Sequence, residues 1–298
     1  MHMRQFTAAL LIVLAGAAQA NDGLALMRVE PGARPSGMAG TLVSIDGDPL
    51  SSAYNPAGGG GVSSFVVSFG YNTYWENIEL ADGYFVAPLF ARWSLHGGIR
   101  YAGVNDIEGR TQPTLDPFEI TTFDAEDVSF KAGLRYDVSS TVSAGVAAGW
   151  YIEKISSYRG SAFNVDLGVL VRATHALTMG AAVTSLGSDF QLEESGQGRS
   201  RDISLPTTYR VGGSYRYDRY LGALDVVYVN DDPHVHVGAE ADIHEVFTVR
   251  AGVMTGYDSR NITAGATIRR RNFSFDYGFV PYSNDFGTSH LFNLTVTL

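Results

Sequence analysis

The sequence predicts an all-β protein, a transmembrane antiparallel β-barrel of about fourteen strands with a short N-terminal plug segment. Three observations carry this. From residue 62 to the end, stretches of about ten residues alternate apolar and polar side chains. Every other connection between those stretches is very short. The chain of 298 residues holds 34 glycines, 16 tyrosines and 16 phenylalanines but only 17% charged residues, a mix that suits a wall with an apolar outer face.

Residues 1–20 read as a signal peptide. Arg4 stands in a short n-region, "AALLIVLAGAA" follows, and Ala18-Gln19-Ala20 supplies the small-x-small cleavage pattern. The apolar run is too short to cross a bilayer as a helix. The mature chain is therefore expected outside the cytoplasm. There is no cysteine, which excludes a disulfide framework and thiolate chemistry. The net charge of −10 leaves no basic footprint, so no nucleic-acid partner is expected.

Residues 21–61 break the alternating pattern. Gly, Pro, Ala and Ser dominate, interspersed with Leu24, Leu26, Met27, Met38, Leu42, Val43 and Ile45. Those apolar residues favour a segment packed inside the barrel over a disordered leader. Asn55 is placed to accept a backbone N–H in an Asx-turn, and Pro56 biases it away from the helical region. The glycines at 58–61 are expected to turn the chain into the first strand.

Residues 62–298 are expected to form the barrel. Phe65, Val67, Phe69 and Tyr71 alternate in the first strand, and Trp93, Leu95, Ile99 and Tyr101 in a later one, with a less regular strand near 80–90. Val128 to Asp137 is an unbroken dyad, and similar stretches recur through 142–152, 163–171, 177–183, 209–217, 220–228, 235–241, 247–253 and 262–268. In "NFSFDYGFV", residues 272–280, Phe273, Phe275, Tyr277 and Phe279 are expected to face lipid while Ser274 and Asp276 face the lumen. Phe292, Leu294, Val296 and Leu298 close the chain. The short connections are at 137–140, 173–175, 217–219, 243–245 and 269–272. The longest of the alternate ones, 104–125 and 187–205, read as polar outer loops.

"GARPSGMAGT" at 32–41 and "DGDPLSSAYNPAG" at 46–58 resemble the N-terminal motif of the PorV/PorQ family, a branch of the FadL-like outer-membrane proteins. The resemblance implies a barrel of about fourteen strands in the bacterial cell outer membrane, with the motif folded into the lumen as a plug. On this reading Gly37, Gly40, Asp48, Tyr54, Asn55 and Pro56 are the plug-motif residues. It also implies two functions: transport of hydrophobic or amphipathic small molecules, or a type IX secretion-like docking barrel. The chain has few residues to spare for the large outer loops of the fatty-acid transporters of this group.

The lumen-facing candidates are Lys131, Arg135, Asp166, Arg172, Arg210, Arg216, His236, Glu240, Arg250 and Asp276. Both signs occur, with glycines between them, which suits side chains gripping a plug whose backbone comes close to the wall. His234, His236, Glu240, Asp242 and His244 share one strand face, and read as polar lumen wall rather than a metal site. "DGDP" and "NDDP" read as turns rather than calcium loops. Ser289 and His290 are adjacent on a strand and so point to opposite faces, which argues against catalysis. No cofactor and no metal are expected. The expected partners are outer-membrane lipid and either a hydrophobic ligand or secreted proteins.

Overall fold

The period-two pattern becomes a closed wall. A computed structural model describes residues 29–73, 78–109, 121–194, 197–199, 202–229, 232–283 and 287–298. The expected signal peptide at 1–20, and residues 21–28, lie outside this set. The first half of the wall is β1 (Val66–Thr73), β2 (Glu79–Pro88), β3 (Trp93–Gly109), β4 (Thr121–Asp137), β5 (Val142–Ile155), β6 (Tyr158–Arg172) and β7 (Leu177–Gly187). Two short strands, β8 (Glu193–Glu194) and β9 (Gln197–Arg199), lie in the following connection. The second half is β10 (Thr208–Tyr217), β11 (Tyr220–Val229), β12 (Asp232–His244), β13 (Phe247–Thr255), β14 (Ile262–Arg270), β15 (Phe273–Pro281) and β16 (Thr288–Thr297).

Each strand pairs antiparallel with its neighbours, and β1 pairs with β16 from Val66↔Thr297 to Thr73↔His290. The result is a closed barrel of fourteen strands. Closure leaves the wall without an unpaired backbone edge, the condition for standing in hydrocarbon. Side chains obey the pleat. On β11, Tyr220, Leu224 and Val226 are exposed outward while Leu221, Ala223 and Val227 are buried inward. On β15, Phe273 and Phe275 point out and Asp276 is buried within.

Four expectations need correction. Residues 104–109 and 121–125 are strand, not loop: β3 and β4 stay paired out to Gly109↔Thr121, past a register shift between Val104 and Ile107 where Asp106 takes φ 58°. Their polar residues are solvated strand rather than coil, and 110–120 lie outside the described residues. The connection 187–205 is not simply polar. It bridges Phe190 to Ile203, and Phe190, Leu192 and Leu205 turn inward to pack with Leu80, Ala102, Tyr151 and Ala162. The glycines at 58–61 do not open a strand, which starts only at Val66. Gly58 ends a short 3-10 turn, and Gly59 and Gly60 lie against the His96 and Arg135 side chains, where a Cβ would collide. Loop parity also weakens at β5–β6, where only residues 156–157 separate two long strands and Ser156 has φ 56°.

Candidate functional site: the inner segment and the cavity beside it

Residues 29–61 lie inside the barrel, almost entirely buried. The segment contains α1 (Ala33–Gly37), α2 (Ser51–Tyr54) and the 3-10 turn Pro56–Gly58. Met38, Leu42, Ile45, Leu50 and Tyr54 form its own apolar core and close on Tyr84, Leu221 and Ala223 of the wall. Burying side chains such as Met38, Leu42 and Leu50 stabilises this arrangement by about 1.5–3 kcal/mol each.

The wall meets the segment along a belt of inward glycines. Four cross-strand pairs face each other directly: Gly265 with Gly278, Gly238 with Gly252, Gly180 with Gly212, and Gly145 with Gly168. A Cβ at Gly278 would lie 2.7 Å from Ala33 O, at Gly252 2.5 Å from Ala39 N, and at Gly238 2.6 Å from Met38 O. At Gly180 it would lie 2.6 Å from Val43 C, and at Gly168 2.9 Å from Pro56 Cδ while overlapping Asn55 Oδ1 outright. Such distances exclude any side chain, so glycine sets how close the two backbones can come. On β11 the belt is filled by Asp225, directly opposite Gly212; its Oδ2 accepts the amides of Leu42 at 3.0 Å and Val43 at 3.1 Å.

The motif residues take specific positions. Asn55 Oδ1 accepts Ala57 N at 2.9 Å, while Nδ2 donates to Val43 O at 2.7 Å and to Val169 O of the wall at 3.1 Å. Pro56 lies against Gly145 and Gly168, and Gly37 against Gly265. Asp48 accepts Leu50 N at 2.9 Å and pairs with Arg34 at 2.9 Å. The Tyr54 hydroxyl donates to Pro31 O at 3.1 Å. Gly40, at φ 76°, leaves space that the Glu30 carboxylate fills.

Charges anchor the segment at two further places. Arg34 binds Glu240 at 3.1 Å; Glu240 also meets Arg250 at 3.3 Å and Arg216 at 3.8 Å, and Arg250 continues to Asp276 at 3.2 Å. Burial works against the Arg34 charge, but the carboxylates of Glu240 and Asp48 outweigh it and hold its pKa above the ordinary value. At the other place Asp46 takes Arg172 at 2.6 Å and Arg135 at 3.3 Å. Lys131 does not touch the segment's charges; it pairs with Asp166 at 2.6 Å and lies over the Tyr151 ring.

A cavity of about 330 Å³ adjoins the segment. Val29, Glu30, Pro31, Ala53 and Tyr54 of the segment line one side. Wall residues opposite include Tyr84, Arg100, Lys131, Tyr151, Arg210 and His234, with Tyr257 and Arg260 from the β13–β14 connection. Tyr151 and Val29 also belong to the apolar cluster built by Phe190, Leu192 and Leu205. Glu30 faces Arg260 at 3.7 Å, Arg210 at 3.8 Å and His236 Nδ1 at 3.8 Å. Burial raises its pKa, but Arg260, His236 and Arg210 more than reverse that and leave it lowered.

Of the other motifs, His234 and His236 are buried, while His244 is exposed at the turn end of β12. Among the described residues no group of three or more His, Asp or Glu is placed to hold a metal ion. Ser289 is buried inward, and His290 binds the Tyr277 hydroxyl at 2.8 Å. Sequence reasoning missed Glu30, Arg34, Asp46, Asp225 and Asn293. It also missed the glycine register, although Gly238, Gly252, Gly265 and Gly278 recur at intervals of 14, 13 and 13 residues.

No family model and no curated protein sequence matches this chain. Solved structures do share its fold, among them two toluene transporters and a FadL homologue. The Pseudomonas putida toluene transporter TodX aligns over 90% of this chain and 98% of its own, with TM-score 0.71 at 11% identity. The Ralstonia pickettii toluene transporter TbuX aligns over 91% and 98%, with TM-score 0.60 at 16% identity. A Pseudomonas aeruginosa FadL homologue aligns over 89% and 97%, with TM-score 0.60 at 12% identity.

Proposed function

We propose that this chain is an outer-membrane conduit for hydrophobic or amphipathic small molecules, closed at rest by residues 29–61. The observation that carries the reading is the cavity between the inner segment and the wall, with an inward apolar cluster beside it. The fold shared with toluene transporters supports it, and no reacting group is needed for the task. The N-terminal motif supports the finer assignment to the PorV/PorQ type. It is also the sole support for the alternative, a secretion-associated docking barrel.

In this reading the short turns face the periplasm and the longer connections face outward. The chain has no cysteine, so single cysteines report orientation cleanly. Asp189→Cys should label on intact cells and Ser139→Cys only after permeabilisation; the reverse would invert the topology. Deleting residues 24–54 should leave a folded barrel, because the wall's ladder lies within residues 66–297. In planar bilayers the deletion should conduct steadily where the intact protein conducts little, and cells carrying the intact protein should take up toluene faster than cells without it. Equal currents remove the closing role of the segment, and equal toluene uptake removes the conduit.

A further inference from the structure

We infer that the cavity is a binding site for a compact neutral aromatic alcohol, a phenol by class, read through the hydroxyls of Tyr84, Ser129 and Thr184. The inference rests on the conduit reading and names its substrate class. Its first support is that the cations around the cavity are already matched. Lys131 pairs with Asp166 at 2.6 Å, and Arg100 donates to Val29 O at 2.6 Å. Arg210 donates to Gly40 O at 3.4 Å and lies over the Tyr54 ring. Arg260 meets Glu30 at 3.7 Å and the hydroxyls of Tyr257 and Tyr282. A charged ligand would have to displace one of these partners, which costs what it gains. Neutral polar groups are what remain.

Three of those groups are open. Tyr84, Ser129 and Thr184 line the cavity and are 6%, 4% and 8% exposed, and their hydroxyls make no hydrogen bond among the described residues. Other hydroxyls of the lining are committed. Tyr151 and Ser185 share a hydrogen bond at 2.9 Å, Tyr54 donates to Pro31 O at 3.1 Å, and Thr208 to Pro206 O at 3.1 Å. Buried hydroxyls are normally hydrogen-bonded, so three open ones on a single cavity mark where a ligand oxygen goes. They come from separate strands. Tyr84 on β2 lies against its register partner Gly98, where a Cβ would overlap the ring. Ser129 on β4 is the register partner of Arg100, two residues further along β3, and Thr184 stands on β7 opposite Thr208.

The rest of the lining defines the ligand's body. Tyr54, Tyr84, Tyr151 and Tyr257 line the cavity beside Val227 and Val229, which suits an aromatic ring. The volume of about 330 Å³ equals roughly eleven waters at ~30 Å³ each, enough for one ring with a hydroxyl but short for a long extended chain. A hydrocarbon entering here displaces water from the three hydroxyls and returns no hydrogen bond. A ring carrying its own hydroxyl returns one, since that group both donates and accepts. Sites built to bond a ligand hydroxyl discriminate strongly against the analogue that lacks it.

The test is calorimetric titration of the full-length protein in detergent with phenol and, separately, toluene, a ring of similar size without the hydroxyl. Phenol should bind the wild type. Tyr84→Phe and Thr184→Val each remove one hydroxyl at nearly constant shape, and each should weaken phenol about tenfold. Toluene affinity should stay within about twofold in both, since toluene offers these hydroxyls nothing to bond. No phenol binding, unchanged phenol affinity in either variant, or equal losses for both ligands would overturn the assignment. Tighter binding of benzoate than of phenol would overturn the neutral class. If one variant fails to fold, Ser129→Ala takes its place under the same comparison. Faster toluene uptake by cells without phenol binding sinks this site and spares the conduit; phenol binding with the expected losses but no faster uptake sinks the conduit and spares the site.

Discussion

Gly168→Ala tests whether the belt seats the inner segment. The added methyl would overlap Asn55 Oδ1 and press Pro56 Cδ, so Asn55 must move. Asn55 carries three hydrogen bonds, from Ala57 N at 2.9 Å, to Val43 O at 2.7 Å and to Val169 O at 3.1 Å. At about 0.5–1.5 kcal/mol net for each, losing all three costs the seated state about 1.5–4.5 kcal/mol. Accommodating the methyl by strain instead costs about 1–3 kcal/mol, so the two estimates overlap. A change of this size raises the unseated population about 10- to 1000-fold.

The wall should survive, since Gly145↔Gly168 remains a ladder pair whichever side chain is present. Single-protein recordings in planar bilayers should therefore show frequent open events in Gly168→Ala that are rare in the wild type. Gly222→Ala is the control, because a Cβ there meets nothing within 4 Å. If Gly168→Ala stays as closed as Gly222→Ala, or if both open equally, close backbone approach is not what holds the segment.

Two further outcomes follow from the wall and the cavity. Phe275, exposed outward at 47%, should cost roughly 2–4 kcal/mol or block assembly when changed to Arg, whereas Ser274→Arg on the inner face should be milder; equal tolerance in a heat-modifiability assay removes the outward assignment. Glu30 has a folded pKa below its ordinary 4.5, so its contribution to stability is full above that value and is lost as pH falls through the lowered one. The melting-temperature difference between wild type and Glu30→Gln should thus stay level from neutral pH down to about 4.5 and close only below it, and closure near neutrality would contradict the ion cluster.

The wall was legible because an exposed apolar outer face and a packed lumen impose a strict period of two, as in residues 272–280. Legibility failed where that contrast ends. Beyond Val104 both faces of β3 meet solvent, so Asp106 and Glu108 look like loop although the ladder continues to Gly109. Phe190 and Leu192 stand among Asp189, Glu193 and Glu194, and only the folded connection shows that the apolar side chains turn inward. In the inner segment the Asx-turn at Asn55 could be read locally because its acceptor and donor are two residues apart. The partners Asp225 and Gly168 could not, since Leu42 and Asp225 are separated by 183 residues. A lone Asp on an alternating strand carries no mark that distinguishes it from solvent-facing lumen.

The contacts also divide the inner segment into unequal parts. Its body is held to the wall by Asp225 at two amides, by Asn55 Nδ2 to Val169 O at 3.1 Å, by Ala33 N to Asn293 Oδ1 at 2.6 Å, by Ala39 N to Thr263 Oγ1 at 3.0 Å, and by the ion pairs of Arg34 and Asp46. The two bonds to the Asp225 carboxylate alone stabilise by about 1.5–3 kcal/mol each. Residues 29–31, beside the cavity, have the Arg100 and Tyr54 bonds to their carbonyls and the long ion pairs of Glu30. On the proposed conduit reading, movement that admits cargo is therefore cheapest at 29–31 and dearest along the belt. Hydrogen exchange during toluene passage should leave the amides of Ala39, Leu42, Val43 and Ala57 as protected as in the resting protein. Loss of that protection whenever cargo passes would mean that the whole segment lifts off the glycine belt as one body.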